Sequence, residues 1–207
     1  MDDERARNLL LENIPGEVLA EPRLIHFTAG RRRTSWDKNV LAVGLSGGFL
    51  EPLESTSIHL IQSAIAKFFN LMPDKYCDHH LASRFNYLMN TEMERIRDFL
   101  VLHYHATYEK EDPLWEYCRH MKLPDTLIHR EEIFLRSGRV ITEPHDLFQE
   151  TNWLAVMMGQ GLNPKGYHPL ADAFDPELIE QFLARVRKLI VDANAHFPDH
   201  SEGLKSL

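Results

Sequence analysis

The sequence predicts an α+β fold that is predominantly helical, with a short β-rich lead-in over residues 1–50 and a helical region over residues 51–207. Two observations support this division. Before residue 50, β-prone stretches alternate with proline, glycine and polar turns, which is typical of short strands. From Pro52 onward, apolar residues recur at three- and four-residue spacing, the pattern of amphipathic helices. We therefore expect two regions of different texture, divided near residue 50.

The lead-in contains three stretches that favour strands, at residues 16–20, 24–28 and 40–45. Pro22, Gly30 and a polar turn separate them. Three strands at most do not make a stable sheet with a covered face unless other strands join them. The sequence therefore predicts that the lead-in joins a sheet formed by a missing upstream segment.

The helical region contains clear start and stop signals. A stripe of Ile58, Ile61, Ile65 and Phe68 predicts an amphipathic helix that ends before Pro73. The remaining helices are predicted at residues 80–108, 113–121, 125–135 (closed by Gly138) and from Asp175-Pro176 to just before Pro198. Residues 147–158 are apolar enough to be buried, and Gly159, Gly161 and Pro164 place a loop after them.

Charge and composition exclude several classes of partner. The chain has 31 acidic and 23 basic residues, a formal net charge of −8, which disfavours nucleic acids and anionic membranes. The basic triplet at residues 31–33 is the exception, and a solvated turn or strand end is the favoured interpretation over an anion contact. No apolar stretch approaches the roughly 20 residues that span a bilayer, and the start of the sequence does not resemble a signal peptide. We therefore expect a cytoplasmic protein.

The cysteines and histidines do not form a recognisable metal motif. Cys77 and Cys118 lack CxxC spacing, so we expect two ordinary reduced thiols. The 12 histidines include His79-His80 and the pair His103 and His105, but none has HExxH or regular cluster spacing. A metal enzyme is therefore a minor alternative, and no metal ligand is predicted.

Residues 39–62 are the most informative segment, reading as a buried strand, a glycine-rich turn and a helix start. Gly44, Gly47 and Gly48 permit positive φ angles or close approach to a flat ligand, although such glycines more often serve a turn. The order Gly-x-x-Gly-Gly does not match the dinucleotide fingerprint, and no P-loop follows. By itself, the turn does not distinguish a ligand site from a structural turn.

The helix start offers a possible anion site. Ser55, Thr56 or Ser57 occupies the capping position, so first-turn amides, among them those of Thr56 and Ser57, lack intrahelical partners at the positive end of the helix dipole. Simple capping is the more frequent reading of such a pattern. Glu51 and Glu54 precede the helix and suggest either acid–base chemistry or solvated carboxylates.

The chain resembles the flavin-dependent tryptophan halogenases. The strongest block, residues 48–62, reads Gly-Phe-Leu-Glu-Pro-Leu-Glu-Ser-Thr-Ser-Ile-His-Leu-Ile-Gln and is too long to be reached easily by chance. Further similarity is found in residues 27–33, Trp36, Asn39, and residues 97–104, 153–161 and 167–170. The resemblance therefore spans nearly the whole chain, and it implies that the lead-in is a remnant of an FAD-monooxygenase-like domain.

The resemblance implies an oxidative halogenation. In this family, reduced FAD and O2 convert chloride or bromide to hypohalous acid, which reaches a small aromatic substrate such as tryptophan through a tunnel. A separate flavin reductase would supply the reduced FAD, and a homodimer is possible. Nucleic acids and membranes are not expected as partners.

Individual site residues are carried over from the same resemblance. Glu54 matches the glutamate that contacts the substrate and assists electrophilic attack. The amides of Thr56 and Ser57 would hold the halide. The flavin contacts would come from Leu45 and Ile58, and an aromatic contact to the substrate from Trp153, for which a core tryptophan is the alternative.

Several family features have no counterpart in this sequence. The glycine fingerprint for FAD and the Trp-x-Trp-x-Ile-Pro motif are absent, and the catalytic lysine is not assigned to any lysine here. We therefore expect a carboxy-terminal part of a halogenase that is inactive alone. The alternative is a non-catalytic helical binding or interaction module derived from such an enzyme.

Overall fold

The computed structural model describes residues 2–76, 78–107, 112–144 and 146–206. The chain divides into two compact units, Met1–Leu100 and Val101–Leu207. Helices dominate, and the strands are short and lie near the amino terminus. This confirms the predicted class, a mainly helical α+β fold. The assignment of residues 1–50 to a remnant of an FAD-binding module, and of residues 51–207 to a helical halogenase region, stays a prediction.

The first unit opens with a helix that the sequence analysis did not anticipate, α1 at Asp3–Glu12. Asp2 caps it by accepting a hydrogen bond from the amide of Arg5 at 2.7 Å. Four two-residue strands follow and pair antiparallel: β1 (Gly30–Arg31) with β4 (Gly48–Phe49), and β2 (Trp36–Asp37) with β3 (Val40–Leu41). The lead-in is thus less regular than expected.

Two of the expected strands are wrong. Residues 16–20 and 24–28 form no strand, and only Val40–Leu41 of the third stretch is one. A strand needs hydrogen bonds to a neighbour, and none is found for these two stretches in the described part of the chain. Their β-prone side chains instead point to solvent, for example Leu19 at 91% and Phe27 at 71% exposed.

Two helices complete the first unit: α2 at Thr56–Asn70 and α3 at His79–His105, the latter continuing past Leu100. The predicted stop before Pro73 is confirmed. Tyr108, which the prediction included in the long helix, lies outside the described residues. The core of the unit is a cluster of Trp36, Ala64, Phe85 and Met89. These residues join the strand region to both helices.

The second unit is helical and includes the last turn of α3. Its further helices are α4 (Pro113–His120), α5 (Asp125–Ser137), α6 (Glu150–Gly159), α7 (Pro176–His196) and α8 (His200–Gly203). Two predicted signals are confirmed: Asp175 caps α7, and Gly138 ends α5 in the left-handed conformation with φ of 66°. Asp112 caps α4, which was not predicted.

The fully buried side chains of the second unit include Leu102 at the end of α3, Leu127 and Phe134 on α5, and Trp153 and Met157 on α6. By contrast, α7 buries no residue along its 21 residues. None of the described helices combines the length and apolar character needed to cross a bilayer.

Candidate functional site

The segment between β4 and α2 positions the predicted site. Pro52–Glu54 form one 3-10 turn, closed by a hydrogen bond from the amide of Ser55 to the carbonyl of Pro52 at 2.9 Å. Ser55 then adopts the left-handed conformation with φ of 55°, which is uncommon for a residue other than glycine. The chain therefore turns sharply between Glu54 and Thr56, where α2 begins. Glu54 is exposed and stands just outside the helix.

The first turn of α2 presents unused hydrogen-bond donors. Ser55 makes no side-chain capping bond. No acceptor is found among the described residues for the amides of Thr56 and Ser57. Thr56 is 2% exposed, and its Oγ1 is buried without a partner among the same residues. Buried polar groups are usually paired, so an unpaired hydroxyl beside two unpaired amides at a positive helix end fits a small anion.

The glycines of the turn have packing roles. Gly44 has φ of 63°, and a Cβ there would lie 3.2 Å from Cγ1 of Ile61. At Gly48, a Cβ would lie 2.7 Å from Cε of Met93 and 2.8 Å from the carbonyl oxygen of Gly30. Glycine is therefore required at residue 48 by strand pairing and by α3. The sequence allowed two roles for these glycines, a structural turn or close approach to a flat ligand. The contacts of Gly44 and Gly48 support the first role.

A small cavity of about 60 Å³ lies between the glycine turn, α2 and α3. Ser57 lines it, together with Leu45 from the turn and Met89 and Met93 from α3. Leu45 and Ile58 are 76% and 70% exposed, so both present apolar surface to the outside of the unit. The start of α2 thus combines anion-binding donors with exposed apolar side chains.

A polar cluster that was not predicted from the sequence joins α2 to α3. Glu92 Oε1 lies 2.9 Å from His59 Nε2, and Oε2 lies 2.9 Å from Lys67 Nζ. Ser63 donates to both oxygens, at 2.9 and 2.7 Å, and also contacts Lys67. The Glu92 side chain is only 10% exposed. The sequence contains a signal for this cluster, because the polar residues His59, Ser63 and Lys67 recur every four residues on one helix face.

The environment of Glu92 favours its charged form. Burial raises the pKa of the carboxyl, but hydrogen bonds from Ser63, Lys67 and His59 lower it by more, so the pKa is below its ordinary value. A buried carboxylate held by three side chains of α2 fixes that helix against α3. It therefore also fixes the first turn of α2, where the unpaired amides lie.

Trp153 belongs to the second unit and is 2% exposed. Its indole N–H donates to the carbonyl of Phe148 at 3.2 Å, and the guanidinium of Arg130 lies over the ring at 4.0 Å. Arg130 also approaches Asp146 at 3.5 Å. One face of the indole is thus covered by a cation within the same unit.

Two further groups carry titratable side chains outside the predicted site. In the second unit, burial raises the pKa of Glu131, while the nearby His105 lowers it by less.

At the start of α3, donor atoms of Asp78, His79 and His80 lie within 4.8 Å of one another, and all three residues are exposed. Asp78 also caps α3 by accepting from the amide of His80 at 2.8 Å, so its carboxylate has a structural role.

Comparison with known proteins gives a consistent picture. Residues 1–176 match the family described as tryptophan halogenase. Tryptophan 6-halogenase ThaL of Streptomyces albogriseolus is 30% identical over 172 residues, which are 76% of this chain and 32% of that protein. Xcc4156, a flavin-dependent halogenase from Xanthomonas campestris, is 40% identical, with a TM-score of 0.93 over 100% of this chain and 42% of that chain.

A second solved structure is equally similar. BrvH, a flavin-dependent halogenase from Brevundimonas sp. BAL3, is 39% identical, with a TM-score of 0.93. The match covers 100% of this chain and 42% of the BrvH chain. The chain therefore spans between about one third and two fifths of the length of these relatives.

Proposed function

Because this chain belongs to the tryptophan halogenase family, we propose that it supplies the carboxy-terminal part of a flavin-dependent halogenase. The reaction would chlorinate or brominate tryptophan or a related aromatic compound. The single observation that carries this proposal is the start of α2, where two unpaired amides and the buried, unpaired hydroxyl of Thr56 adjoin the exposed Glu54.

The halide is the substrate for which the first turn of α2 is best suited. The amides of Thr56 and Ser57 would donate to it, and the positive end of the helix dipole would stabilise its charge. The hydroxyl of Thr56 would find its missing partner in the same anion. The carboxylate of Glu92 holds the helix that carries these donors.

Reduced FAD fits the exposed apolar surface beside this turn. When bound, it supplies the two electrons with which O2 is activated to oxidise the halide to hypohalous acid. Leu45 and Ile58 would pack against the flavin, since both are apolar and largely exposed. A separate flavin reductase would provide the reduced cofactor.

Glu54 would act on the aromatic substrate. Its carboxylate follows a rigid 3-10 turn and precedes the left-handed Ser55, so its backbone position is well defined. A fixed anion there would offset the positive charge that develops on the ring and would accept the ring proton. An aromatic contact from Trp153 to the substrate is proposed from the family resemblance alone, because its indole is 2% exposed and the guanidinium of Arg130 lies over one face.

The decisive experiment joins this chain to the remaining segment of Xcc4156 and adds a flavin reductase, O2 and either halide. Mass spectrometry of tryptophan, other indoles, pyrroles and phenols would identify the halogenated product. We expect Glu54→Gln to lower turnover by roughly 100-fold or more while flavin binding is unchanged.

The matched control is Glu51→Gln, which removes a neighbouring carboxylate and should change turnover only slightly. Thr56→Val should raise the KM for halide while flavin binding is retained. Full turnover in Glu54→Gln would remove this carboxylate from the mechanism, and an unchanged halide KM in Thr56→Val would argue against a contact between that hydroxyl and the halide.

The alternative is a non-catalytic binding module derived from such an enzyme, and the largely exposed apolar side chains of α7 favour it. Reading the coding DNA upstream separates the two. A continuous open frame with Gly-x-Gly-x-x-Gly supports the halogenase, whereas its absence supports the module.

A further inference from the structure

Two methionines of α3 line the cavity that Ser57 also lines. Met89 and Met93 are one helical turn apart, and each is 6% exposed. The cavity, at about 60 Å³, is larger than the roughly 10–15 Å³ needed by one water molecule. A small neutral molecule with two heavy atoms therefore fits in it, beside two thioether-bearing side chains and Ser57 at the start of α2.

The glycine turn lies directly against Met93 at the wall of the cavity. Because Gly48 has no Cβ, the methyl group of Met93 occupies the space next to the turn, 2.7 Å from where that Cβ would stand. Met89 lies in the core cluster with Trp36 and Phe85. Of the two sulfur atoms, that of Met93 is therefore expected to react first and that of Met89 second.

We propose that Met93 and Met89 are sites of sulfoxidation by hypohalous acid that enters this cavity from the side of Ser57. The source of the oxidant rests on the proposed function. The thioether sulfur takes up one oxygen atom and loses two electrons, the halogen is reduced from the +1 state to halide, and one proton is released. One thioether and one hypohalous acid thus give one sulfoxide, one halide ion and one proton.

The modification has a structural consequence. A sulfoxide is polar and chiral, whereas the thioether that it replaces is flexible and apolar. In Met89 the new S=O dipole would lie against the indole of Trp36 and its apolar neighbours, in a core that offers it little solvent. Oxidation would therefore loosen α3 from the glycine turn, and it would limit the number of turnovers completed by each enzyme molecule.

The test uses the full chain and hypochlorite or hypobromite added below one equivalent, followed by quenching and peptide mapping by mass spectrometry. Met157, which is fully buried in the second unit, is the matched buried control. Met72, at 51% exposed, reports direct reaction with solvent. We expect Met93 and Met89 to gain oxygen roughly tenfold faster than Met157. Rates equal to that of Met157 would overturn the proposal.

A bulky oxidant distinguishes the cavity route from local unfolding. Chloramine-T should oxidise Met72 and leave Met93 largely reduced. Equal oxidation of Met93 by both reagents would show that α3 opens and would overturn the cavity route. Because these experiments need neither flavin nor substrate, their failure is distinguishable from failure of the Glu54→Gln experiment. In the joined enzyme, Met93→Leu should increase the total number of turnovers, and a total equal to that of the unchanged enzyme would overturn the proposal.

Discussion

Replacing Glu92 by alanine removes the carboxylate on which three side chains of α2 converge. The variant leaves the ammonium of Lys67, which is 23% exposed, without its counter-ion. It also removes the acceptor of Ser63 and the partner of His59. Breaking a fully buried ion pair in this way costs about 3–5 kcal/mol.

The partial exposure of Lys67 reduces the expected cost. Because water can reach the ammonium, we expect a loss of about 2–3 kcal/mol in the free energy of unfolding. For a chain of this length that corresponds to a decrease in Tm of roughly 4–12 °C. The assay is urea unfolding at pH 7, followed by circular dichroism, with Tm measured in parallel.

The matched control is Glu94→Ala, two residues along the same helix. Glu94 pairs with Arg31, but the side chains are 46% and 29% exposed, so the pair should contribute less than about 1 kcal/mol. If the two variants lose the same stability, Glu92 does not clamp α2, and its proposed role in holding the halide site fails.

The pH dependence gives an independent check. Because the pKa of Glu92 is lower in the folded than in the unfolded chain, its stabilisation is complete above the ordinary value of 4.5 and is lost as the pH falls through the folded pKa. The difference in unfolding free energy between the native chain and Glu92→Ala should therefore narrow below about pH 4.5. A difference that stays constant across this range would show that the charge is unimportant.

Two further predictions concern stability. Gly48→Ala should cost about 2 kcal/mol or more, because its Cβ meets α3 and the carbonyl of Gly30, whereas Gly159→Ala has nothing within 4 Å and should not destabilise. Equal urea midpoints for the two variants would contradict the packing at residue 48. Glu131→Gln should stabilise the chain at pH 7, because burial raises the pKa of Glu131 and disfavours its charged form. Because the pKa of Glu131 is higher in the folded than in the unfolded chain, its protonated form contributes stability below the unfolded pKa, and this contribution is lost as the pH rises through the folded pKa. The gain in unfolding free energy from Glu131→Gln should therefore disappear at low pH. Destabilisation by Glu131→Gln at pH 7 in urea unfolding would show that the carboxylate is required.

The sequence predicted helices better than strands because helix signals are local. The apolar stripe of α2, the cap at Asp175 and the stop at Gly138 each lie within the element that they define. Strand pairing is not local, so residues 24–28 matched the composition of a strand without having a partner. The helix α1 was not predicted because the usual signal is an apolar stripe that faces the core. No residue of α1 is buried, so this helix has no such face.

The candidate site was predictable only in part. The capping pattern predicted a helix start at this segment, and the start at Thr56 is confirmed, but Ser55 makes no side-chain capping bond. The left-handed Ser55 and the unpaired hydroxyl of Thr56 depend on how the turn packs, which spacing alone does not determine. The Glu92 cluster joins residues that are 25 to 33 positions apart in the chain, and no short motif reports such a contact.

The surface of α7 has a practical consequence for handling the protein. Leu178, Phe182, Leu189 and Ile190 are each at least 60% exposed on a helix with no buried residue. Large apolar patches in contact with water promote adhesion between molecules and to chaperones and column resins. We therefore expect this helix to affect yield and monodispersity on purification more than the stability of either core does. Polar substitutions along α7 should reduce aggregation.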